Sequence, residues 1–154
     1  MKNLLLFFSL AALVLSCDKD NFETKPTLEV IELSSDYIPG PPNPGDLRVR
    51  LEFTDKEGDV TDSIILLRER MNLKNTVKSN PIKYSIPTHP TITKAEIEVY
   101  LEYYNGLTFG FPAITIPGTN PTQYEPDTMQ LKFVVRDAQG NKSDTATAHV
   151  IVER

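Results

Sequence analysis

From residue 27 onward the chain repeatedly alternates apolar and polar positions with a period of two, the signature of strands with one buried face. The clearest run is Leu47 to Thr54, where Leu47, Val49, Leu51 and Phe53 share a face and Arg48, Arg50, Glu52 and Thr54 share the other. Ala95 to Tyr104 repeats it with Ile97, Val99, Leu101 and Tyr103 inward. Met129 to Arg136 does so with Met129, Leu131, Phe133 and Val135, and Thr145 to Val152 with Ala146, Ala148, Val150 and Val152. Leu28 to Ser34 and Ile82 to Ile86 carry the pattern more weakly. Ser63 to Leu73 fits two periods: Ile64, Leu67 and Met71 would make a helical stripe capped by Asp62, whereas Ile65, Leu67, Met71 and Leu73 alternate. With strands on either side, a strand with the second set inward is expected.

Proline-rich segments separate these runs, at 39–45, 87–90 and 112–126. Proline cannot donate to a sheet ladder, so such segments belong in loops or at edges. About seven short strands with turn signals between them predict an all-β domain over 27–154, an immunoglobulin-like antiparallel β-sandwich.

The first residues follow another logic. After Met1-Lys2-Asn3, the stretch Leu4 to Leu15 is apolar apart from Ser9, and Ser16-Cys17-Asp18 follows. This is the layout of a secretion signal, and the run is shorter than the 18 or so residues a spanning helix needs. Cys17 is the only cysteine of the chain. In an oxidising compartment a lone thiol at the signal boundary is better explained as a lipid acceptor than as half of a disulfide. Val14-Leu15-Ser16-Cys17 resembles the lipobox of bacterial lipoproteins, with Leu15 bulkier than that motif usually carries. The resemblance implies a signal peptide over 1–16, a lipidated Cys17 and a polar tether over 17–26. It also implies a membrane partner reached through the lipid anchor, at the outer membrane or cell surface. The acidic residues just after Cys17 resemble the surface-export signal of Bacteroidetes lipoproteins.

Removing residues 1–16, whose only charge is Lys2, leaves 138 of the 154 residues and takes the formal charge from −5 to −6. That size suits one domain. An acidic balance without a Lys/Arg cluster argues against a nucleic-acid partner.

Two turns share the pattern Asp-x-Glu/Gln-Gly-Asp/Asn-x-Thr/Ser-Asp-Ser/Thr: Asp55 to Ser63 and Asp137 to Thr145. Aspartate opens such a turn through its side chain and glycine supplies the positive φ that closes it, so two strands joined this way need no ligand. The carboxylates also suit a hard cation. Asp55, Glu57 and Asp59 alternate, Asp62 follows, and the loops after strands B and F of an immunoglobulin-like order would bring Asp137, Asn141 and Asp144 to the same end. Calcium is the ion that set would take; no organic cofactor is implied. The glycine stands at the fourth position and no closing bidentate glutamate follows, so neither turn is an EF-hand.

Phe53-Thr54-Asp55-Lys56-Glu57-Gly58-Asp59 resembles the strand-turn signature F-x-D-x-x-G-D of bacterial immunoglobulin-like and cadherin-like domains. Val135 to Ser143 resembles the last hairpin of the same group, V-x-D-x-x-G-N-x-S. Together with the lipobox, the chain resembles a Bacteroidetes-type lipoprotein with an immunoglobulin-like (cadherin-like) domain. The resemblance implies a fold and not an activity.

Catalysis is disfavoured. His89 lies in a proline-flanked loop, His149 alternates outward on the last strand, and neither belongs to a nucleophile or metal motif. Glu96, Glu98 and Glu102 share one strand face and read as a solvated surface. Aromatic residues are the other candidate chemistry. Tyr100, Tyr104, Phe109 and Phe111, beside Tyr103, could stack on a sugar or on the side chains of a surface protein, or belong to the core. The functions expected are an anchored binding or adhesion module, a structural accessory subunit of a surface complex, or a carbohydrate-binding module.

Overall fold

Period-two burial governs the long strands of the domain. The computed structural model describes residues 25–73 and 76–154; the signal segment, Cys17 and the tether through Thr24 lie outside them. Eleven strands are formed among the described residues: β1 (Thr27–Leu33), β2 (Tyr37–Ile38), β3 (Leu47–Thr54), β4 (Ser63–Arg70), β5 (Val77–Lys78), β6 (Ile82–Ser85), β7 (Lys94–Leu101), β8 (Ile114–Thr115), β9 (Tyr124–Glu125), β10 (Asp127–Arg136) and β11 (Ala146–Val152).

One sheet has the order β1-β3-β7, antiparallel throughout. The second runs β2-β11-β10-β4-β5, with β6 also on β4, and only the β2–β11 pair is parallel. β8 and β9 form a separate small hairpin. The fold is thus all-β and sandwich-like. Both large sheets turn alternate residues into one apolar cluster: Leu47, Val49, Leu51 and Phe53 from β3, Met129, Leu131, Phe133 and Val135 from β10, and Ala146, Ala148, Val150 and Val152 from β11. These are the faces the alternation predicts. Outward residues form cross-strand ion pairs such as Arg50 with Glu32 and Glu96.

Three details depart from the pattern. Ser63 to Arg70 is a strand, as expected, but with the opposite phase: Ile64, Leu66, Arg68 and Arg70 are buried, whereas Ile65 and Leu67 are only partly so. Met71 and Leu73 lie beyond the strand and are exposed. The reversal follows from two arginines on the inner row, which hide that row from a hydropathy pattern. The β7 strand ends at Leu101 rather than Tyr104, because residues 103–108 wind into a π-helical turn in which Gly106 and Leu107 N–H groups both donate to the Glu102 carbonyl, at 2.7 and 2.9 Å. Tyr103 remains inward and its hydroxyl donates to the Glu153 carbonyl at 2.6 Å. Finally, the proline-rich 112–126 segment holds the β8–β9 hairpin.

The inward arginines meet a carboxylate at one point. Arg70, with 0% of its surface exposed, lies 3.3 Å from Asp127, the first inward residue of β10, and Arg154 approaches the other oxygen of Asp127 at 3.3 Å. Arg70 also donates to the Pro112 carbonyl at 2.6 Å. Burial raises the Asp127 pKa, while the two guanidinium groups oppose that rise.

Candidate cation site at the acidic turns

The inward rows of β3 and β10 each extend one step past their last apolar residue. Phe53 is followed two positions on by Asp55, and Val135 by Asp137, so both aspartates inherit an inward direction at the same end of the domain. They are 4% and 2% exposed, respectively. The turns themselves are built on these carboxylates. Asp55 Oδ2 accepts from the backbone N–H of Asp59 at 2.9 Å. Asp137 Oδ1 accepts from the N–H of Asn141 at 2.7 Å, and its Oδ2 accepts from the Asn141 side-chain amide, also at 2.7 Å. Gly58 (φ 69°) and Gly140 (φ 88°) supply the left-handed residue in each turn.

The two turns are joined to each other and to their surroundings. The Ala138 N–H donates to the Asp59 carbonyl at 3.0 Å, and the Ile92 N–H donates to the Gly58 carbonyl at 3.1 Å. His89 reaches the first turn from the 87–90 segment. Its Nε2 lies 3.0 Å from the Val60 carbonyl and its Nδ1 lies 2.7 Å from the Pro90 carbonyl. Two carbonyl acceptors favour the doubly protonated ring, which raises the His89 pKa.

This framework places one carboxylate oxygen from each of Asp55, Asp59 and Asp137 within 4.8 Å of the others. Two oxygens bound to one calcium at about 2.3–2.6 Å are at most about 5 Å apart, so each pair of these oxygens lies within the spacing of ligands to one ion. Oδ1 of Asp55 and Oδ1 of Asp59 are buried and have no hydrogen-bond partner. Such oxygens are costly unless a proton or a cation reaches them. The Asp59 pKa is raised, chiefly by burial and further by the Asp55 and Asp137 charges, with the Gln139 side chain opposing. The residues present therefore fit a hard divalent cation, to which Asp55, Asp59 and Asp137 would supply carboxylate ligands.

Of the seven residues the two motifs suggest, the structure gathers three. Asn141 stands beside them as the group that orients Asp137. Glu57 is exposed at the turn tip. Asp62 faces basic residues instead, Lys83 at 3.1 Å and Arg136 at 3.6 Å, and these hold its pKa low along with the Ser63 hydroxyl. Asp144 is exposed and pairs with Lys25, where the chain enters the domain. The spacing of the motif is that of a strand turn, in which only the inward row and the residue folded back over it converge.

The aromatic candidates divide as well. Tyr100, Tyr104 and Phe109 are exposed, and Tyr100 donates to Asp46. Phe111 is buried, with the Arg68 and Arg70 guanidinium carbons 5.3 and 5.8 Å from its ring centroid, so it belongs to the core rather than to a surface. Pattern reading missed Arg68, Arg70 and Asp127. The only available signal was a charged residue where β4 or β10 would otherwise continue an apolar row.

No family model matches the chain, and no curated protein matches it either.

Proposed function

We propose that this chain is a lipid-anchored, extracytoplasmic module of immunoglobulin-like fold, held at the outer membrane or cell surface through Cys17, whose role is to present a rigid binding or adhesion surface. The strand order supports the fold reading: the first strand pairs with β3 in one sheet, and the chain then crosses so that β2 runs parallel to the last strand of the other. The anchor rests on the lipobox-like residues 14–17 and the lone cysteine.

A calcium ion at Asp55, Asp59 and Asp137 would serve as a structural clamp between the two acidic turns. The observation that carries this is the pair of buried, unpartnered Oδ1 atoms on Asp55 and Asp59, on two carboxylates that cluster with a third, Asp137. When bound, the ion supplies charge neutralisation and fixes both loops. The residues themselves set the turn geometry.

Two measurements test the reading. Membrane fractionation and intact mass of the mature chain should show acyl mass on Cys17, and Cys17→Ser should move the protein to the soluble fraction; an unmodified thiol defeats the anchor. Thermal unfolding with calcium against chelator should show a calcium-dependent rise, of about 2.7 kcal/mol at a hundredfold excess over Kd. Asp55→Asn should abolish it, and equal melting in calcium and chelator defeats the clamp.

A further inference from the structure

Two arginines point inward from β4, and among the described residues only one of them meets a carboxylate. Arg70 has Asp127. Arg68, one step back on the same inner row, is 3% exposed; its Nη1 donates to the Gly106 carbonyl at 2.8 Å and its guanidinium lies over the Phe111 ring. Its Nε has no hydrogen-bond partner. A neutral carbonyl and a ring face do not balance a buried charge, and desolvation lowers the Arg68 pKa, with only the Tyr84 phenol opposing. Burying a cation without a carboxylate partner costs several kcal/mol, a cost that a carboxylate brought to Arg68 would offset.

Arg68 also forms part of the wall of a cleft of about 470 Å³, which it shares with Lys78, Ser79, Asn80, Ile82 and Phe109. The volume suits a small ligand. Lys78 is paired with Glu69 at 3.2 Å, so among the described lining residues Arg68 is the cation without a carboxylate partner. The Ser79 N–H donates to the Arg68 carbonyl at 2.9 Å, fixing the 79–82 wall to β4. The π-helical turn delivers Phe109, which is 69% exposed although Gly106 and Leu107 just before it are buried. An exposed aromatic ring, hydroxyl and amide side chains and a buried arginine line one cleft, a combination that suits a ligand carrying an apolar ring face, hydroxyls and a carboxylate.

We propose that this cleft binds a carboxylate-bearing sugar, a uronic acid residue, with its carboxylate on the Arg68 guanidinium and a ring face against Phe109. Arginine's planar fork matches a carboxylate, and the electron-rich ring face attracts the C–H face of a pyranose. The Ser79 and Asn80 side chains meet the hydroxyls. Neither Cys17 nor the three clustered aspartates enters this site, so the proposal stands apart from the anchor and the clamp.

Calorimetric titration of the full chain with digalacturonate, with neutral galactobiose, with acetate and with a Glu-rich peptide tests it. Digalacturonate should bind at least about tenfold more tightly than any of the other three, a preference of about 1.4 kcal/mol. Phe109→Ala, a change at an exposed side chain, should weaken digalacturonate about tenfold, and Arg68→Gln should abolish its preference over galactobiose. Chelator should leave the affinity unchanged. Equal affinity for the acidic and neutral disaccharides overturns the proposal, as does peptide or acetate binding as tight as digalacturonate, or digalacturonate binding that Phe109→Ala leaves unchanged. Should Arg68→Gln fail to fold, the ligand comparison and the Phe109 variant still decide.

Discussion

The Ala138 N–H donates to the Asp59 carbonyl across 3.0 Å, so the turn after β10 is fastened by its backbone to the turn after β3, beside the clustered carboxylates of Asp55, Asp59 and Asp137. Two segments almost eighty residues apart in sequence thereby act as one unit. Protonation of the clustered carboxylates, and the calcium proposed for them, would act on that one unit.

In chelator, Asp59 carries a pKa above its unfolded value, because burial and the Asp55 and Asp137 charges oppose ionisation. A carboxyl shifted upward contributes stability that is present below the unfolded carboxylate pKa and is lost as pH rises through the folded one. Asp59→Asn should therefore melt higher than the wild type in chelator at neutral pH, with the difference vanishing in acid. In calcium the order should reverse. Paired melts of the two proteins from pH 3 to pH 7, with and without the ion, check this.

His89 gives a second and separable pH effect. Its raised pKa comes from the Pro90 and Val60 carbonyls. The stability it adds is full below the ordinary histidine pKa and disappears as pH rises through the folded value. His89→Gln should flatten that segment of the stability curve while leaving the acid limb in place. Urea midpoints at half-unit intervals from pH 5.5 to 8.5 would reveal it, and direct NMR titration of the ring would locate the group.

Asp127→Asn should be far more damaging than its small change in volume suggests. It removes the carboxylate from between two arginines, one of them wholly buried, and breaking a buried ion pair by removing one partner costs about 3–5 kcal/mol. Glu32→Gln, which breaks an exposed partner of Arg50, should leave stability nearly unchanged. Denaturant midpoints of the two variants at constant m-value make the comparison.

Gly58 and Gly140 play matching parts in the two turns but should differ in tolerance. Both are left-handed, which costs alanine about 1–2 kcal/mol. At Gly58 the added Cβ would also stand 2.7 Å from Thr91 Cγ2 and 3.0 Å from the Ile92 nitrogen, whereas at Gly140 its nearest neighbour is the mobile end of Arg136 at 3.3 Å. Gly58→Ala should therefore cost measurably more than Gly140→Ala, and it should also weaken calcium binding because the 55–59 turn cannot close unchanged.

Much of the sheet structure is written in the alternation of residues 47–54, 129–136 and 145–152, because one face of each strand is buried and the other wet. The same rule extended by one step explains why Asp55 and Asp137 are inside: the period does not stop where the apolar residues do. Glu57 and Asp62 could not be sorted from Asp59 in this way, because the path of a turn is set by hydrogen bonds and not by a repeat. The phase of β4 was hidden for a different reason. Hydropathy treats arginine as outward, yet Arg68 and Arg70 find a carbonyl, a ring and a distant aspartate inside, and such partners depend on tertiary contacts from residues 106–127. The π-helical turn that exposes Phe109 while burying Phe111 likewise leaves no mark in a pattern of apolar and polar letters.

Lys25 meets Asp144 where the polypeptide enters the domain, beside the acidic turns. It stands eight positions after Cys17, a fully extended reach of at most about 28 Å. In an acylated chain the aspartate cluster would lie at the end of the domain where the lipid-bearing segment attaches, and Arg68, five positions along β4 from the turn at roughly 3.3 Å each, away from that end. Deleting tether residues should accordingly alter ion exchange first and leave access to the far cleft intact, so that leash length becomes a handle for separating the two chemistries in living cells.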